Sequence, residues 1–195
     1  TWRALPGFPT PRGAVGLAAA GGKLHVIAGR GPDGNTVTTH DVFDPATGGR
    51  SSAAPLPVAR DHLGALTANG KIYIVGGRTG ATVDNTGLAD MYDPSTDKWT
   101  RLADMPTKRS SGGLMLYKGR LVFVGGECKN PMTRATFNET ESYDIAANAW
   151  TKLADHPSGI HAAGWAAVGD TAYFFSGNGG CGGDQPSTAT YTFKL

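Results

Sequence analysis

The sequence predicts an all-β fold built from four repeats, and three observations support this prediction. The segment Lys71–Val75 and the glycines that follow it have three counterparts, which begin at Lys23, Arg120 and Thr171. Equivalent positions in successive copies are 48, 49 and 51 residues apart. Turn residues separate short apolar or alternating runs, and no stretch has a helical period. A period near fifty residues across the chain is typical of repeat proteins.

The second repeat shows how each copy is expected to form a sheet. An apolar stretch at 63–68 reaches an Asn69-Gly70 turn, the strongest short signal for a β-hairpin. The apolar strand 72–75 ends at a double glycine, a third strand lies around 90–92, and an alternating last strand covers 99–102. Glycine tolerates positive φ and close backbone approach, which suits strands that converge on an axis. Four such small sheets, each needing neighbours to bury its faces, predict a β-propeller.

One domain over residues 1–195 is predicted, with repeats at 12–54, 60–103, 109–154 and 160–195. The fourth copy ends near Tyr191 without a last strand, whereas the segment 1–5 matches the last strands of the second and third copies. We therefore expect residues 1–5 to pair with the strand at Tyr191 and close a ring of four blades, which leaves no unpaired edge there. The alternative is a fragment of a six- or seven-bladed ring.

The composition excludes two classes of partner. Only 17% of residues are charged and the net charge is +2, so we expect no nucleic-acid binding. No apolar run approaches the roughly 18 residues that span a bilayer, so we expect no membrane insertion. The 29 glycines and 12 prolines recur at fixed places in the repeats, which indicates turns rather than disorder.

The repeat resembles the kelch motif of the kelch and galactose-oxidase-like propellers. Three features carry the resemblance across the chain: the double glycines Gly76-Gly77 and Gly125-Gly126, the pairs Tyr92-Asp93 and Tyr143-Asp144, and the tryptophans Trp2, Trp99 and Trp150. The copy number departs from the family, whose rings usually have six or seven blades. The resemblance implies a ligand-binding face formed by loops 6–13, 55–62, 104–111 and 155–161, with loops 30–39, 78–88, 127–139 and 178–188.

Five arginines are candidate ligand-binding residues on that face. Arg12, Arg60 and Arg109 each follow a proline by three residues, and Arg30 and Arg78 directly follow the glycine pairs. Guanidinium groups near one axis could bind a carboxylate, phosphate or sulfate by paired hydrogen bonds. The alternative is that they bond neighbouring backbone and shape the ring. Asp61 and Glu127 are expected nearby, where they would partly offset the charge.

The histidines form no spaced metal-binding cluster. His25 occupies the position of Tyr73, so we expect it to be a packing residue in a strand. His161 follows Ile160, which stands where the other copies have arginine, and it is the best histidine candidate for a ligand site. A structural role for His161 is the favoured alternative.

Cys128 and Cys181 follow the glycine pairs of the third and fourth copies, at the start of equivalent loops. This placement favours a disulfide; two free thiols or a metal pair are the alternatives, although neither cysteine has metal-like neighbours in the sequence. The pattern Asn138-Glu139-Thr140 marks Asn138 as a candidate glycosylation site. Both features point towards a secreted protein.

The sequence therefore predicts a secreted, non-enzymatic binding module without a cofactor, whose ligand is a protein or a glycan with acidic groups. The resemblance also implies an alternative, a copper enzyme like the galactose-oxidase relatives. No complete set of copper ligands can be assembled from the sequence, and a disulfide would leave no cysteine for the cysteine–tyrosine crosslink of those enzymes. A scaffold without its own ligand is the third possibility.

Overall fold

The computed structural model describes residues 1–5 and 7–195. Pro6, which we expected to begin the first loop of the ligand-binding face, lies outside the described residues. The described chain forms β-strands, turns and loops. Within it, no helix is long and apolar enough to cross a membrane.

Four antiparallel sheets follow one another along the chain, and each is called a blade. The first blade contains β1 (Gly16–Ala20), β2 (Lys23–Ile27), β3 (His40–Phe43) and β4 (Arg50–Ser52). The second contains β5 (Gly64–Ala68), β6 (Lys71–Val75), β7 (Ala89–Asp93) and β8 (Lys98–Arg101). The third contains β9 (Gly113–Tyr117), β10 (Arg120–Asn130), β11 (Ala135–Asp144) and β12 (Ala149–Lys152). The fourth contains β13 (Gly164–Val168), β14 (Thr171–Phe175) and β15 (Thr190–Phe193).

This architecture confirms the predicted propeller of four antiparallel repeats. The Asn69-Gly70 turn joins β5 to β6, whose register pairs Ala68 with Lys71, as the hairpin signal predicted. The third-repeat segment 127–139 differs from the expected loop. It continues β10 and β11 as a projecting hairpin, after a register shift at Gly126 that lets the two strands pair again up to Asn130 and Ala135.

The core lies between the blades. The inner strands of consecutive blades pack side by side, β1 on β5, β5 on β9, and β9 on β13. Three buried clusters fill the three interfaces, represented by Ile27 with Ile74, Val75 with Phe123, and Val124 with Phe174. Burial of apolar surface on both faces of each middle blade is therefore the main stabilising contribution.

Closure of the fourth blade by residues 1–5 is not found in the structure. These residues form no strand, Trp2 is fully exposed, and the fourth sheet has three strands. A Cβ added to Gly64 would lie 2.7 Å from Leu114 of the next blade, whereas one added to Gly164 would meet only the Phe175 carbonyl of its own sheet, at 3.9 Å. All of β13 is exposed. The propeller is thus open beside the fourth blade, because no described blade packs on that side.

Candidate functional site

The glycine turns define one face of the propeller, called here the glycine face: the end of the blades where β1, β5, β9 and β13 begin. The residues Ala14, His62, Ser111 and Ala162 hold equivalent positions there, with φ values between 51° and 58°. The backbone N–H of His62 donates to the Ala14 carbonyl at 3.1 Å, Ser111 to His62 at 2.8 Å, and Ala162 to Ser111 at 3.3 Å. This chain of hydrogen bonds crosses all four blades near the axis and holds their loops in register.

Three of the predicted ligand-binding arginines lie inside the blades. Arg60 and Arg109 have no exposed surface, and the side chain of Arg12 is only 2% exposed. Arg60 donates from Nε to the Gly76 carbonyl at 2.9 Å and from Nη2 to Asp90 at 2.6 Å. Arg109 makes the equivalent bonds to the Gly125 carbonyl and Glu141. The donors of Arg12, Arg60 and Arg109 are therefore turned into their own blades, as the alternative of a structural role predicts.

The acidic partners of these arginines were missed at the sequence level, although the repeats contain a signal for them. Arg12, Arg60 and Arg109 pair with Asp41, Asp90 and Glu141, which occupy one register position on the third strand of each blade. In the fourth repeat both partners change together: Ile160 replaces the arginine and Tyr191 replaces the acid. The joint presence and joint loss of the two residues marks a structural ion pair.

The other two arginines belong to a chain of charges on the glycine face. Arg30 donates from Nε to Asp61 at 2.5 Å, and Arg78 donates to Asp61 at 3.1 Å and to Glu127 at 3.0 Å. Ser111 donates its hydroxyl to Glu127 at 3.1 Å. The four charges alternate in sign from the first blade to the third. Asp61 and Glu127, which we expected to offset the arginine charge partly, pair directly with Arg30 and Arg78.

Two histidines stand beside this chain. Arg78 Nη2 lies 3.1 Å from His62 Nε2, which must accept because a guanidinium only donates. His62 Nδ1 therefore carries the proton and donates to Asp61 at 2.7 Å. His161 is buried and its Nε2 lies 2.9 Å from the Gly180 carbonyl, to which it donates. In the repeat, His161 holds the position of Asp61, and Ile160 holds that of Arg60.

The two carboxylates in this row of charges, Asp61 and Glu127, are stabilised in their charged form. Burial alone would raise the pKa of Asp61, but hydrogen bonds from His62 and Arg30 outweigh it and the pKa is lowered. Burial likewise opposes ionisation of Glu127, and the charge of Arg78 together with the Ser111 hydroxyl lowers its pKa. Both groups therefore remain anionic near neutral pH.

A cavity of about 430 Å³ opens on the glycine face beside this chain. Its wall combines polar groups from three blades with small residues, and includes Ala14, His62, Arg78, Ser111, Glu127, His161 and Gly182. Arg78 donates to three partners and has five N–H groups, so two have no hydrogen bond to the described residues. The cavity is called the axial cavity below.

Cys128 and Cys181 form a disulfide, as predicted. It joins the third-blade hairpin to the fourth-blade loop. Arg134, at the hairpin turn, adds a hydrogen bond to the Cys181 carbonyl at 2.7 Å and an ion pair with Asp184 at 2.6 Å. Asn138, the predicted glycosylation site, lies half-buried in β11, where its carbonyl accepts from the His156 N–H.

The fold and the repeat positions of its glycines and tryptophans define a kelch-type propeller. The profile of the KLHDC2/KLHL20/DRC7 Kelch-repeats domain matches residues 5–180. The chain belongs to the kelch-repeat family.

Curated relatives are kelch proteins of greater length. The chain is 31% identical over 90 residues to the F-box/kelch-repeat protein At1g67480 of Arabidopsis thaliana, covering 46% of this chain and 24% of that protein. It is 34% identical over 77 residues to mouse Kelch-like protein 35, covering 40% and 13%. It is 33% identical over 88 residues to zebrafish (Danio rerio) Kelch-like ECH-associated protein 1B, covering 44% and 15%. The chain thus spans less than a quarter of the length of each of these relatives.

The solved structure of YjhT is similar in fold. The TM-score is 0.78 at 20% sequence identity, and the match covers 92% of this chain and 63% of that one. At this identity the likeness concerns the fold alone.

Proposed function

We propose that the chain is a secreted protein-binding module whose ligand inserts an acidic side chain or a chain-terminal carboxylate into the axial cavity. Kelch domains generally mediate protein–protein interaction. The observation that carries the proposal is the position of Arg78 in the wall of the axial cavity, where three partners hold it and two of its N–H groups have no hydrogen bond to the described residues. A preorganised guanidinium loses little freedom when a carboxylate binds.

The neighbouring carboxylates should make the axial cavity favour a ligand with one well-placed carboxylate over a ligand with many diffuse negative charges. Asp61 and Glu127 neutralise Arg30 and Arg78, so a diffuse polyanion gains little there. A single carboxylate that reaches the two unbonded N–H groups of Arg78 gains a charge-assisted hydrogen bond.

A display experiment with random peptides tests this proposal. Peptides selected on the wild-type chain should contain an acidic residue or depend on their free carboxylate, and Arg78→Gln should weaken their binding roughly tenfold. Lys98→Ala is the matched control, because Lys98 is exposed on β8 and the axial cavity has no residue of that strand. Selected peptides that bind Arg78→Gln as tightly as wild type would contradict the proposal. Binding of glycans in a parallel array, without any peptide binding, would also contradict it.

Secretion is part of the same proposal, supported by the disulfide and by the Asn138-Glu139-Thr140 pattern. The chain purified from its native source should contain the Cys128–Cys181 bond and carry a glycan on Asn138. Intact-mass measurement with and without reductant and glycosidase checks both. Free thiols together with an unmodified Asn138 would overturn this part.

A further inference from the structure

A cavity of about 380 Å³ lies between the first two blades, on the face opposite the glycine face. It is called here the junction cavity. Its wall includes the β1–β2 turn at Gly21, two serines of β4 and the β7–β8 turn with Asp97. The buried side chains of His25 and Tyr92 complete it from the interior.

The junction cavity results from particular residues and not from the repeat itself. At the junction between the second and third blades, larger side chains occupy the same positions and pack against the buried cluster there. Four smaller residues open the space in the first junction: His25 for Tyr73, Val42 for Met91, Ala53 for Leu102 and Pro94 for Ile145. The propeller can therefore form without this cavity.

The Asp97 carboxylate presents an unused acceptor to the junction cavity. Its Oδ1 accepts from the Tyr92 hydroxyl at 2.7 Å and from the Ala54 N–H at 2.8 Å, whereas Oδ2 has no hydrogen bond to the described residues. These same two bonds lower the pKa of Asp97, so the group is charged near neutral pH. In the second junction Asn148 Oδ1 accepts the two equivalent bonds at the same distances. Asp97 thus has an acceptor where Asn148 has an amide donor.

His25 supplies a second acceptor. His40 Nδ1 lies 3.0 Å from the Ala54 carbonyl and donates to it, so the neutral ring of His40 accepts at Nε2. His25 Nδ1, 2.9 Å from that atom, therefore donates, and a neutral His25 is left with an acceptor at Nε2. Burial lowers the pKa of His25, against a smaller effect of the Ala20 carbonyl, so the ring is neutral near neutral pH. No donor among the described residues bonds to this Nε2.

Two acceptors without donors define the ligand chemistry. A ligand of the junction cavity must donate hydrogen bonds, and a positive charge offsets that of Asp97. The arginine guanidinium has five N–H donors and is more weakly hydrated than an ammonium, and its methylene stem suits a wall that includes Val42 and Ala53. Lys23, the other charged residue of the wall, is exposed and opposes a cation.

We propose that the junction cavity binds an arginine side chain of a partner protein. The guanidinium donates to Asp97 Oδ2 and His25 Nε2, and the methylene stem packs on Val42 and Ala53. Arginine is among the residues that most often anchor protein interfaces, which favours a protein as its source. The site shares no wall residue with the axial cavity, so it does not depend on the ligand proposed there.

Differential selection of random peptides tests this proposal. Peptides selected on the full chain and counter-selected on Asp97→Asn should contain arginine. Asp97→Asn copies Asn148, so the bonds from Tyr92 and Ala54 are kept while the free acceptor becomes a donor. Asp97→Asn should weaken binding of these peptides about tenfold or more, as should citrulline in place of the arginine, which keeps the shape and removes the charge.

Two further variants separate a directed contact from general charge. Lys23→Ala should tighten binding about two- to threefold, because it removes a like charge from the rim. Asp170→Asn is the matched control and should bind as wild type does, because it removes one exposed negative charge from a turn of the fourth blade, outside the junction cavity.

Three outcomes would overturn the proposal. The first is that no peptide distinguishes wild type from Asp97→Asn. The second is that the distinguishing peptides lack arginine, which would assign the cavity to another chemistry. The third is that free arginine binds as tightly as the peptides do, which would make the occupant a small molecule.

Discussion

At the residue scale, three buried ion pairs hold the arginines that the sequence placed on the ligand face. Arg109 is buried, and its pKa is lowered by loss of solvent, an effect that the hydrogen bond and charge of Glu141 oppose. It also lies 4.9 Å from the centre of the Phe123 ring. Removing one member of such a pair leaves the other charge buried without compensation, which costs far more than the intact pair contributes.

The fourth repeat supplies a natural replacement for this pair. Arg109→Ile alone should lower the free energy of unfolding by about 3–5 kcal/mol, because Glu141 remains buried and unpaired. Arg109→Ile with Glu141→Tyr, which copies Ile160 and Tyr191, should recover part of that loss. Urea unfolding of the two variants measures the difference. Glu141→Tyr alone is measured as well. If the double variant loses as much free energy of unfolding as the two single variants lose together, the charge pairing is not the cause.

A second residue-scale feature is the pair of histidines in the first blade. His25, expected to be a packing residue, is buried, and its Nδ1 lies 2.9 Å from His40 Nε2. His40 Nδ1 lies 3.0 Å from the Ala54 carbonyl and donates to it. Burial lowers the pKa of His40 to about 4, against a smaller opposing effect of the Ala54 bond.

The His40 pKa predicts a loss of stability in mild acid. Between the ordinary histidine pKa near 6.5 and the folded value of about 4, the unfolded chain binds a proton that the folded chain does not. The contribution is thus complete above pH 6.5 and is lost as the pH falls to about 4, on the order of 3 kcal/mol. His40→Thr, which copies Thr140 of the third blade, should flatten this dependence in urea unfolding at pH 7.5, 5.5 and 4.5. An unchanged slope would contradict it.

At the scale of elements, the glycine turns set how closely the blades approach. Gly125 has φ +66°, and a Cβ there would lie 2.2 Å from the Ile160 carbonyl of the next blade. Ala28 and Ser176 hold the same repeat position with φ 57° and 56°. The inter-blade hydrogen bond that follows is 2.8 Å long at Gly126 and 3.1 Å at both Gly29 and Gly77, so among these three the approach is closest between the third and fourth blades.

Substituting Gly125 should therefore lower the free energy of unfolding by more than its positive φ alone would explain. Gly125→Ala is expected to destabilise the chain by more than about 1–2 kcal/mol, the cost of a left-handed conformation, because the methyl group meets backbone. Gly119→Ala is the control, since Gly119 has φ +75° and no heavy atom would lie within 4 Å of its Cβ. Thermal or urea unfolding should separate the two, and equal losses would show that the close approach can relax.

The third-blade hairpin is the element that the sequence did not predict. Phe137 and Cys128 are buried on it, and the disulfide links it across 53 residues to the fourth blade. A loop of that size predicts a stabilisation of about 4 kcal/mol in the chain-entropy model.

Removal of the disulfide should thus weaken the fourth blade. Cys128→Ala with Cys181→Ala should reduce the free energy of unfolding by up to about 4 kcal/mol and make stability insensitive to reductant. Urea unfolding of wild type with and without dithiothreitol is the matched comparison. If wild type loses no stability on reduction, the bond is not formed or does not constrain the unfolded chain.

At the scale of the whole molecule, stability comes mainly from contacts between neighbouring blades. In such an array each blade depends on its own sheet and on the interfaces beside it. The two middle blades have a neighbour on each side, whereas β13 is exposed along its length.

Hydrogen exchange should show that the fourth blade is less protected than the two middle blades. Amides of β13–β15 should exchange faster than those of β5–β7 and β9–β11, because opening the fourth blade breaks one interface instead of two. Mass spectrometry of peptic fragments measures the rates. Equal protection of all four blades would mean that β13 is covered in solution.

Most of the fold followed from local patterns that the chain repeats. The strands, the Asn69-Gly70 turn and the four-sheet order were predictable, because alternation and turn chemistry act over a few residues. The pairing of Cys128 with Cys181 was predictable from repeat phase. Ring closure by residues 1–5 was predicted and is not found in the structure. A matching strand sequence shows that a segment is compatible with a sheet edge, but it does not set the distance between the segment and that edge.

The candidate site was predictable only in part. Arg30, Arg78 and His161 lie on the glycine face, whereas the side chains of Arg12, Arg60 and Arg109 enter their own blades. The difference depends on the acid that faces each arginine on a strand about thirty residues away, together with the burial of both groups.

The sequence by itself determined the repeat, its strands and the residues at each repeat position, since these depend on local geometry and on the spacing of apolar side chains. Only the tertiary structure decided which charges pair, which remain open to the axial cavity and whether the fourth blade is covered. Those outcomes depend on distances between blades, which are set by packing of distant segments and by the cost of burying an unpaired charge.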